Sequence, residues 1–138
     1  MSSVVSPHTA IIYVMVTVSA ADAKMTDREL RTIGDIVRTL PVFRGFDQEK
    51  LMRAAHECAD ILAEEKDGLR TVFALAREAL SVPLRETAYA CAVEVAASDD
   101  RINREEMRIL ELVRDGLHVD RLIASAIERA SQARHARA

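Results

Sequence analysis

Residues 16–31 read VTVSAADAKMTDRELR, and residues 93–108 read VEVAASDDRINREEMR. The two stretches align without gaps at a shift of 77 residues, and six aligned positions are identical. Each stretch contains the end of an apolar helix, an acidic turn and a Thr- or Asn-x-x-Glu pattern that opens an amphipathic helix. The chain therefore contains an internal repeat, which we place at residues 11–40 and 88–117.

The helix before the first acidic turn is predicted over Pro7–Ala21. Ser6 is a favourable N-cap, and the proline after it suits the first helical position, where a missing N–H costs nothing. Apolar residues cover every face, so this helix is expected to be buried on all sides. The β-branched run also suits a buried strand, but the rest of the sequence offers no partner strands. After the turn, Thr26 and Glu29 form a capping box, and the following helix is predicted to end at Pro41.

The remaining sequence predicts five further helices separated by turn residues. Asp47 is a candidate N-cap for the third helix, and Asp67 with Gly68 breaks the chain before the fourth. The predicted fifth helix, Leu84–Ala97, is the apolar helix of the second repeat. Asp120 is expected to open the seventh helix.

These helices define the predicted architecture. We expect an all-α fold, a single domain over residues 1–138 with about seven helices. Its two pseudo-repeated halves surround two central buried helices. The segment that follows Pro41 is expected to tuck Phe43 and Phe46 onto the core. The last residues, Arg134–Ala138, are basic in character and are expected to be frayed and to form no binding patch.

The composition supports this fold class and excludes several others. Hydrophobic residues make up 49% of the chain and aromatic residues 4%, with only 4 Gly and 3 Pro. An all-β sandwich or barrel needs more turn residues and more cross-strand aromatics. The net charge of -3 argues against a nucleic-acid binder, because phosphate binding needs clustered positive charge.

Cysteine usage and hydropathy predict a reduced, cytoplasmic protein without direct membrane insertion. Cys58 and Cys91 are not a Cys-x-x-Cys pair, and no ligand-rich cluster surrounds them, so neither a disulfide framework nor a zinc site is predicted. The longest uncharged run near the N-terminus, His8–Ala21, is shorter than the roughly 20 residues that span a bilayer. No Lys or Arg precedes this run, whereas a signal peptide has a basic residue before its apolar segment.

Two matched pairs of acidic residues indicate a cation site. Asp22 and Asp99 lie at the C-terminal ends of the apolar helices, where the helix macrodipole disfavours negative charge and favours a compensating cation. Glu29 and Glu106 lie at position N3 of the helices that follow. If the two repeats pack about a pseudo-dyad, up to four carboxylates converge. Oxygen-only ligands select hard ions such as Ca²⁺, Mg²⁺ or Mn²⁺ over zinc.

Simpler roles for the same four residues stay open. Helix capping explains Glu29 and Glu106 adequately, and hydrogen bonds within turns explain Asp22 and Asp99. The basic residue two positions after each aspartate also suits a surface ion pair. The spacing does not match an EF-hand loop, which needs ligands at alternate positions and a central Gly.

Glu94 and Asp100 are additional candidate ligands. Glu94 lies within the apolar fifth helix, where an unpaired carboxylate is costly, so it is expected either to face the acidic turn or to pair with an arginine. Asp100 directly follows Asp99. His56 and Cys58 are two positions apart and point to different faces, and no catalytic triad or Gly-rich phosphate loop is present. The sequence therefore predicts no enzyme activity and no organic cofactor.

The duplicated motifs resemble a known family. Ala-Ala-Asp-x-x-x-Thr-x-x-Glu-Leu and Ala-Ser-Asp-x-x-x-Asn-x-x-Glu-Met are similar to motifs of the TerB-like tellurite-resistance family. The resemblance covers nearly the whole chain, including Ile12-Tyr-Val-Met and Ala126-Ile-Glu-Arg. It implies a multihelical fold with two central buried helices, and a role in resistance to tellurite and other stress.

The resemblance also implies a site and partners. The acidic residues that the family is proposed to use for divalent metal correspond here to Asp22, Glu29, Asp99 and Glu106. Family members are described as acting in the cytoplasm beside a TerC-type membrane protein and TerD-like proteins. These partners are therefore expected for this chain as well.

The chain departs from the family pattern directly after each aspartate. The family commonly has Gly there, whereas this chain has Ala23 and Asp100. Asp tolerates positive φ better than Ala does, so metal binding is expected more at the second turn than at the first. The leading hypothesis is a non-enzymatic TerB-like protein whose acidic turns bind a divalent cation and couple it to protein partners. The alternative is a metal-independent helical interaction module, either a homodimer or a co-chaperone-like adaptor.

Overall fold

The computed structural model describes residues 5–20, 26–99 and 102–138, with only the backbone described at Asp99. The described residues form seven α-helices and contain no strand, which confirms the predicted all-α fold class. The α-helices are α1 (Pro7–Ser19), α2 (Asp27–Thr39), α3 (Leu51–Glu64), α4 (Gly68–Ala79), α5 (Val82–Ala96), α6 (Arg104–Gly116) and α7 (Arg121–Arg134). Short 3-10 helices cover Pro41–Phe43, Gln48–Lys50 and Ala97–Asp99.

The helices α1 and α5 form the centre of the molecule. The side chain of Ser6 accepts a hydrogen bond from the Thr9 backbone N–H at 3.1 Å, so α1 begins at its predicted cap. Every residue from Ala10 to Ser19 is buried, as expected for a helix that is apolar on all faces. The largest helix–helix interface of α1 is with α5. None of the described helices is both long and apolar enough to cross a membrane.

The helices around this central pair follow the repeat. The helix α6 begins and ends 77 residues after α2, which is the shift that relates the two sequence repeats. In addition, α2 packs on α5 as α6 packs on α1, and α3 lies on α1 as α7 lies on α5. The remaining helix, α4, packs against α1, α3 and α6. Among the described residues, no helix precedes α1 in the way that α4 precedes α5.

Two helix starts differ from the sequence prediction. Asp47 caps the 3-10 helix Gln48–Lys50 by accepting a backbone N–H at 3.0 Å, and α3 begins only at Leu51. The helix α5 begins at Val82 instead of Leu84. A proline in the first turn of a helix removes no intrahelical hydrogen bond, so it does not prevent this earlier start.

The segment after α2 packs Phe43 and Phe46 onto the core, as predicted, and it does so at the start of α1. Phe43 is buried, and the ring of His8 stacks on it with 5.5 Å between centroids. Phe46 meets the same His8 ring edge-on at 5.2 Å. The Nε2 atom of His8 lies 2.7 Å from the carbonyl oxygen of Val42, so Nε2 carries the proton and donates it to this hydrogen bond.

Candidate metal centre

Two capping boxes hold the predicted glutamate ligands at the N-termini of α2 and α6. In the first, Thr26 Oγ1 accepts a hydrogen bond from Glu29 N at 3.0 Å, and Glu29 Oε1 accepts one from Thr26 N at 2.9 Å. In the second, Asn103 Oδ1 accepts from Glu106 N at 2.7 Å, and Glu106 Oε1 accepts from Asn103 N at 3.2 Å. Both predicted capping boxes are confirmed, and each one orients the carboxylate of its glutamate.

Both capping glutamates are buried, which capping alone does not require. Glu29 and Glu106 each have a relative exposure of only 1%. The Oε2 atom of Glu29 has no hydrogen-bond partner among the described residues. Desolvation of a carboxylate oxygen without a partner costs free energy, so a compensating positive group is favoured at this point.

A second buried polar atom flanks the first acidic turn. Ser19, the last residue of α1, is fully buried, and within the described part of the chain its Oγ has no hydrogen-bond partner. This residue was not among those selected from the sequence. The available signal was a hydroxyl side chain at the end of a mostly apolar helix, at a position where the second repeat has Ala96. Ser19 and Glu29 thus contribute buried oxygen atoms from the two sides of the first turn.

Each glutamate-bearing helix packs toward the acidic turn of the other repeat. The helix α2 contacts the 3-10 helix Ala97–Asp99, and its Thr32 lines the same cleft as Ser98. Correspondingly, Ile109 of α6 lines a cleft together with Ala20, which directly precedes the first acidic turn. The capping glutamates lie one helical turn before Thr32 and Ile109 on the same helices. In this crossed packing, each glutamate-bearing helix lies next to the end of the apolar helix of the other repeat.

The aspartate half of the predicted site lies outside the described residues. Asp22 lies in the undescribed segment 21–25, and Asp100 lies in the undescribed segment 100–101. Asp99 ends the 3-10 helix Ala97–Asp99, and only its backbone is described. Among the described side chains, no group of three or more His, Cys, Asp or Glu residues is arranged to hold a metal ion. The site of four carboxylates therefore stays a prediction.

The two repeats with their capping boxes lie at residues 11–40 and 88–117, and the match to a known family spans both of them. A family model described as tellurite resistance protein TerB matches residues 8–130. The chain belongs to the TerB family. This match confirms the resemblance carried by the duplicated motifs, and the all-α fold of TerB agrees with the structure. No curated protein and no solved structure matches the chain.

In this TerB-family protein, Glu94 is paired with the end of α7. Its Oε1 forms an ion pair with Arg134, and its Oε2 lies 2.8 Å from His135 Nε2 and 3.4 Å from Ser131 Oγ. Pairing with an arginine is one of the two roles that its sequence position indicates. The prediction of a frayed end is wrong for Arg134 and His135, because the carboxylate on α5 holds both side chains.

A buried tyrosine forms another polar contact that was not predicted from the sequence. The Tyr89 hydroxyl donates a hydrogen bond to Glu128 Oε2, which joins α5 to α7. Burial and this hydrogen bond hold the pKa of Tyr89 above its ordinary value, so the hydroxyl keeps its proton. Both side chains line a cleft of about 520 Å³ between α5, α6 and α7. Glu128 is thus engaged with Tyr89.

The two cysteines of this TerB-family protein are buried as free thiols. Burial raises the pKa of Cys58 to about 11 and that of Cys91 to about 12. Because the thiolate is the reactive form of cysteine, neither residue is a nucleophile at neutral pH. The Sγ atom of Cys58 instead donates a hydrogen bond to the Tyr13 carbonyl oxygen at 3.4 Å.

The raised thiol pKa values predict a loss of stability in alkali. Below the ordinary thiol pKa of 9.0, both thiols are protonated in the folded and unfolded states, so their contribution is fully present. Between about pH 9 and pH 11, only the unfolded chain loses these protons, which favours unfolding by on the order of 1 kcal/mol or more per thiol. Urea unfolding at several pH values in this interval measures the loss. A Cys58→Ala, Cys91→Ala protein is expected to lose less stability, and equal losses in the two proteins would contradict the prediction.

Proposed function

We propose that this TerB-family protein binds a divalent cation between its two acidic turns and acts without catalysis, through protein partners, in a stress response. The ligands would be the carboxylates of Asp22, Glu29, Asp99 and Glu106. An oxygen-only set of this kind favours Ca²⁺, Mg²⁺ or Mn²⁺. Asp100 would be an additional ligand in the second turn.

The burial of Glu29 is the observation that carries this proposal. Its Oε1 serves the capping box, while its Oε2 is buried without a hydrogen-bond partner among the described residues. A cation held against Oε2 would compensate the charge and the lost hydration together. Capping alone leaves this second oxygen unexplained.

The crossed packing of α2 and α6 supports one shared site. The helix α2 contacts the 3-10 helix Ala97–Asp99, whose last residue is a proposed ligand. A cation that bridges Glu29 and Asp99 would therefore link the two repeats. Ion binding would then stabilise the interface between the two halves. A change in ion concentration would thereby change the surface that the protein presents to its partners.

The expected partners and compartment rest on the family resemblance. We propose that the protein acts in the cytoplasm with a TerC-type membrane protein and TerD-like proteins. The family name supports tellurite resistance as the physiological context. Removal of the cation with a chelator is expected to weaken these associations.

Isothermal titration calorimetry with Ca²⁺, Mn²⁺ and Mg²⁺ tests the metal site. We expect saturable heat for the native protein with at least one of these ions, and affinity lower by at least about tenfold after Asp99→Asn combined with Glu106→Gln. The control is Glu105→Gln, which removes one negative charge, half of what the double variant removes, from an exposed position in the first turn of α6. Absence of saturable heat in the native protein would exclude the metal site and favour a metal-independent interaction module.

A further inference from the structure

The pseudo-symmetry of the fold leaves one helix position uncovered. The helix α4 packs against α1, α3 and α6. The repeat relates α1 to α5 and α6 to α2, and α3 packs on α1 as α7 packs on α5. At the corresponding place lies a cleft of about 660 Å³ that is lined by α2, by α5 with Ser98, and by Arg134 and His135 at the end of α7. Among the described residues, no helix covers this cleft.

Matched positions on α6 and α2 differ in burial, because α4 covers α6 and no described helix covers α2 in the same way. A Cβ atom on Gly116 would lie 2.4 Å from the Phe73 ring, so α4 sits directly on the end of α6. The counterpart of Gly116 is Thr39, which is exposed and lines the cleft. The next residue, Leu117, is fully buried, whereas its counterpart Leu40 is only partly buried. Within the described part of the chain, the surface of α2 thus lacks the cover that α6 receives.

We propose that this cleft, which we call the α2–α5 groove, binds an amphipathic helix of a partner protein in the position that α4 takes on the other half. The apolar part of the groove is formed by Ile36, Leu40 and Ala90. Groove and occupant would thus reproduce within the complex an interface that the chain already makes with itself.

The C-terminal end of α2 specifies a basic occupant. It adds the negative end of a helix dipole to the groove, whereas the carboxylate of Asp35, which also lines the groove, is already paired with Arg38. The lining arginine, Arg134, is already paired with Glu94. At the equivalent end of α6, Arg77 of α4 donates a hydrogen bond from Nη1 to the Gly116 carbonyl oxygen at 2.6 Å. We therefore expect the partner helix to present an arginine or lysine to the end of α2.

The side chain of Thr39 limits the size of the apolar contact. Where α4 meets Gly116, the absence of a Cβ atom makes room for the Phe73 ring. Thr39 has a branched side chain at the matching position, so an aromatic ring does not fit at the same distance. The partner helix is accordingly expected to have a small apolar residue there, with the basic residue four positions later as in α4.

A stapled helical peptide based on α4 provides the probe. It has the sequence of residues 67–80 with Phe73→Ala, and it is titrated in EDTA into the full-length ¹⁵N-labelled protein, so that the result does not depend on the proposed cation. We expect saturable chemical-shift changes at Thr32, Thr39 and Ala90. A second peptide, which also has Arg77→Glu, is expected to bind at least about tenfold more weakly.

Variants of the protein test the same surface from the other side. Ala90→Arg fills the groove, and Asp35→Lys reverses a charge at an exposed position that contributes nothing to the core. Both are expected to weaken peptide binding by at least about tenfold, whereas Ala59→Arg on the exposed face of α3 is expected to leave it unchanged. Three results would overturn the proposal. The first is the absence of any saturable shift. The second is a set of shifts confined to α1 and α6, which would mean that the peptide exchanges with the intrinsic α4. The third is a homodimer that Ala90→Arg dissociates.

Discussion

Replacing Gly68 with alanine is expected to destabilise the protein by about 3 kcal/mol. Gly68 is the first residue of α4 and is buried where α4 turns away from α3. A Cβ atom at this position would lie 2.4 Å from the Ile61 carbonyl oxygen and 2.9 Å from the Leu62 Cα atom. Both neighbours are backbone atoms of α3, so the clash is relieved only if the two helices separate. Such a separation would also disturb the packing of α4 on α1 and α6.

Gly34 provides the matched control for this substitution. It lies inside α2, and the nearest atom to an added Cβ would be Arg38 Nη1 at 3.7 Å, an ordinary contact. Gly34→Ala is therefore expected to stabilise the protein by about 0.5–1 kcal/mol, because alanine is the better helix former. Urea unfolding of both variants measures the difference. If Gly68→Ala were as stable as the native protein, the close packing of α3 and α4 would be contradicted.

The sequence around Gly68 predicts the break between two helices but not the contact that requires glycine. The pair formed by Asp67 and Gly68 correctly predicts a break between two helices, since α3 ends at Glu64 and α4 begins at Gly68. The same residues do not reveal that glycine is required by contact with Ile61. That requirement depends on the angle at which two helices meet, which the spacing of apolar residues leaves open.

In the candidate site as well, contacts between residues close in sequence were predictable and contacts between distant residues were not. The capping boxes were predictable because Thr26 and Glu29 are three residues apart and interact within one turn. The burial of Glu29 was not predictable, because it depends on the packing of α2 toward the second repeat. Likewise, Glu94 was expected either to bind metal or to pair with an arginine, and its partner Arg134 lies on α7, far along the chain.

The internal repeat was visible in the sequence, but the incomplete symmetry of the fold was not. The shift of 77 residues relates α2 to α6 and the apolar helices to each other. It contains no information about α4, which lies between the two repeats and packs across the first apolar helix. The α2–α5 groove therefore emerges only when the neighbours of α4 are known.

The proposed cation predicts a second large effect. The ion is expected to stabilise the native protein but not the Glu29→Gln variant. Binding to the folded state alone stabilises by about 2.7 kcal/mol when the free ion is at 100 times its dissociation constant. Glutamine keeps an oxygen that can accept the Thr26 N–H, so the capping box is retained. It removes the buried negative charge, and with it the attraction for a cation.

In EDTA, Glu29→Gln is therefore expected to be at least as stable as the native protein, whereas with saturating ion the native protein becomes more stable by about 2–3 kcal/mol. Thermal unfolding with and without the ion identified by calorimetry measures this reversal. Glu29→Ala serves as the reference for a lost cap and is expected to be destabilised by about 1 kcal/mol even in EDTA. If Glu29 served only as a capping residue, the native protein and Glu29→Gln would respond alike to the ion. A reversal of their order thus separates a ligand from a cap at the same buried side chain.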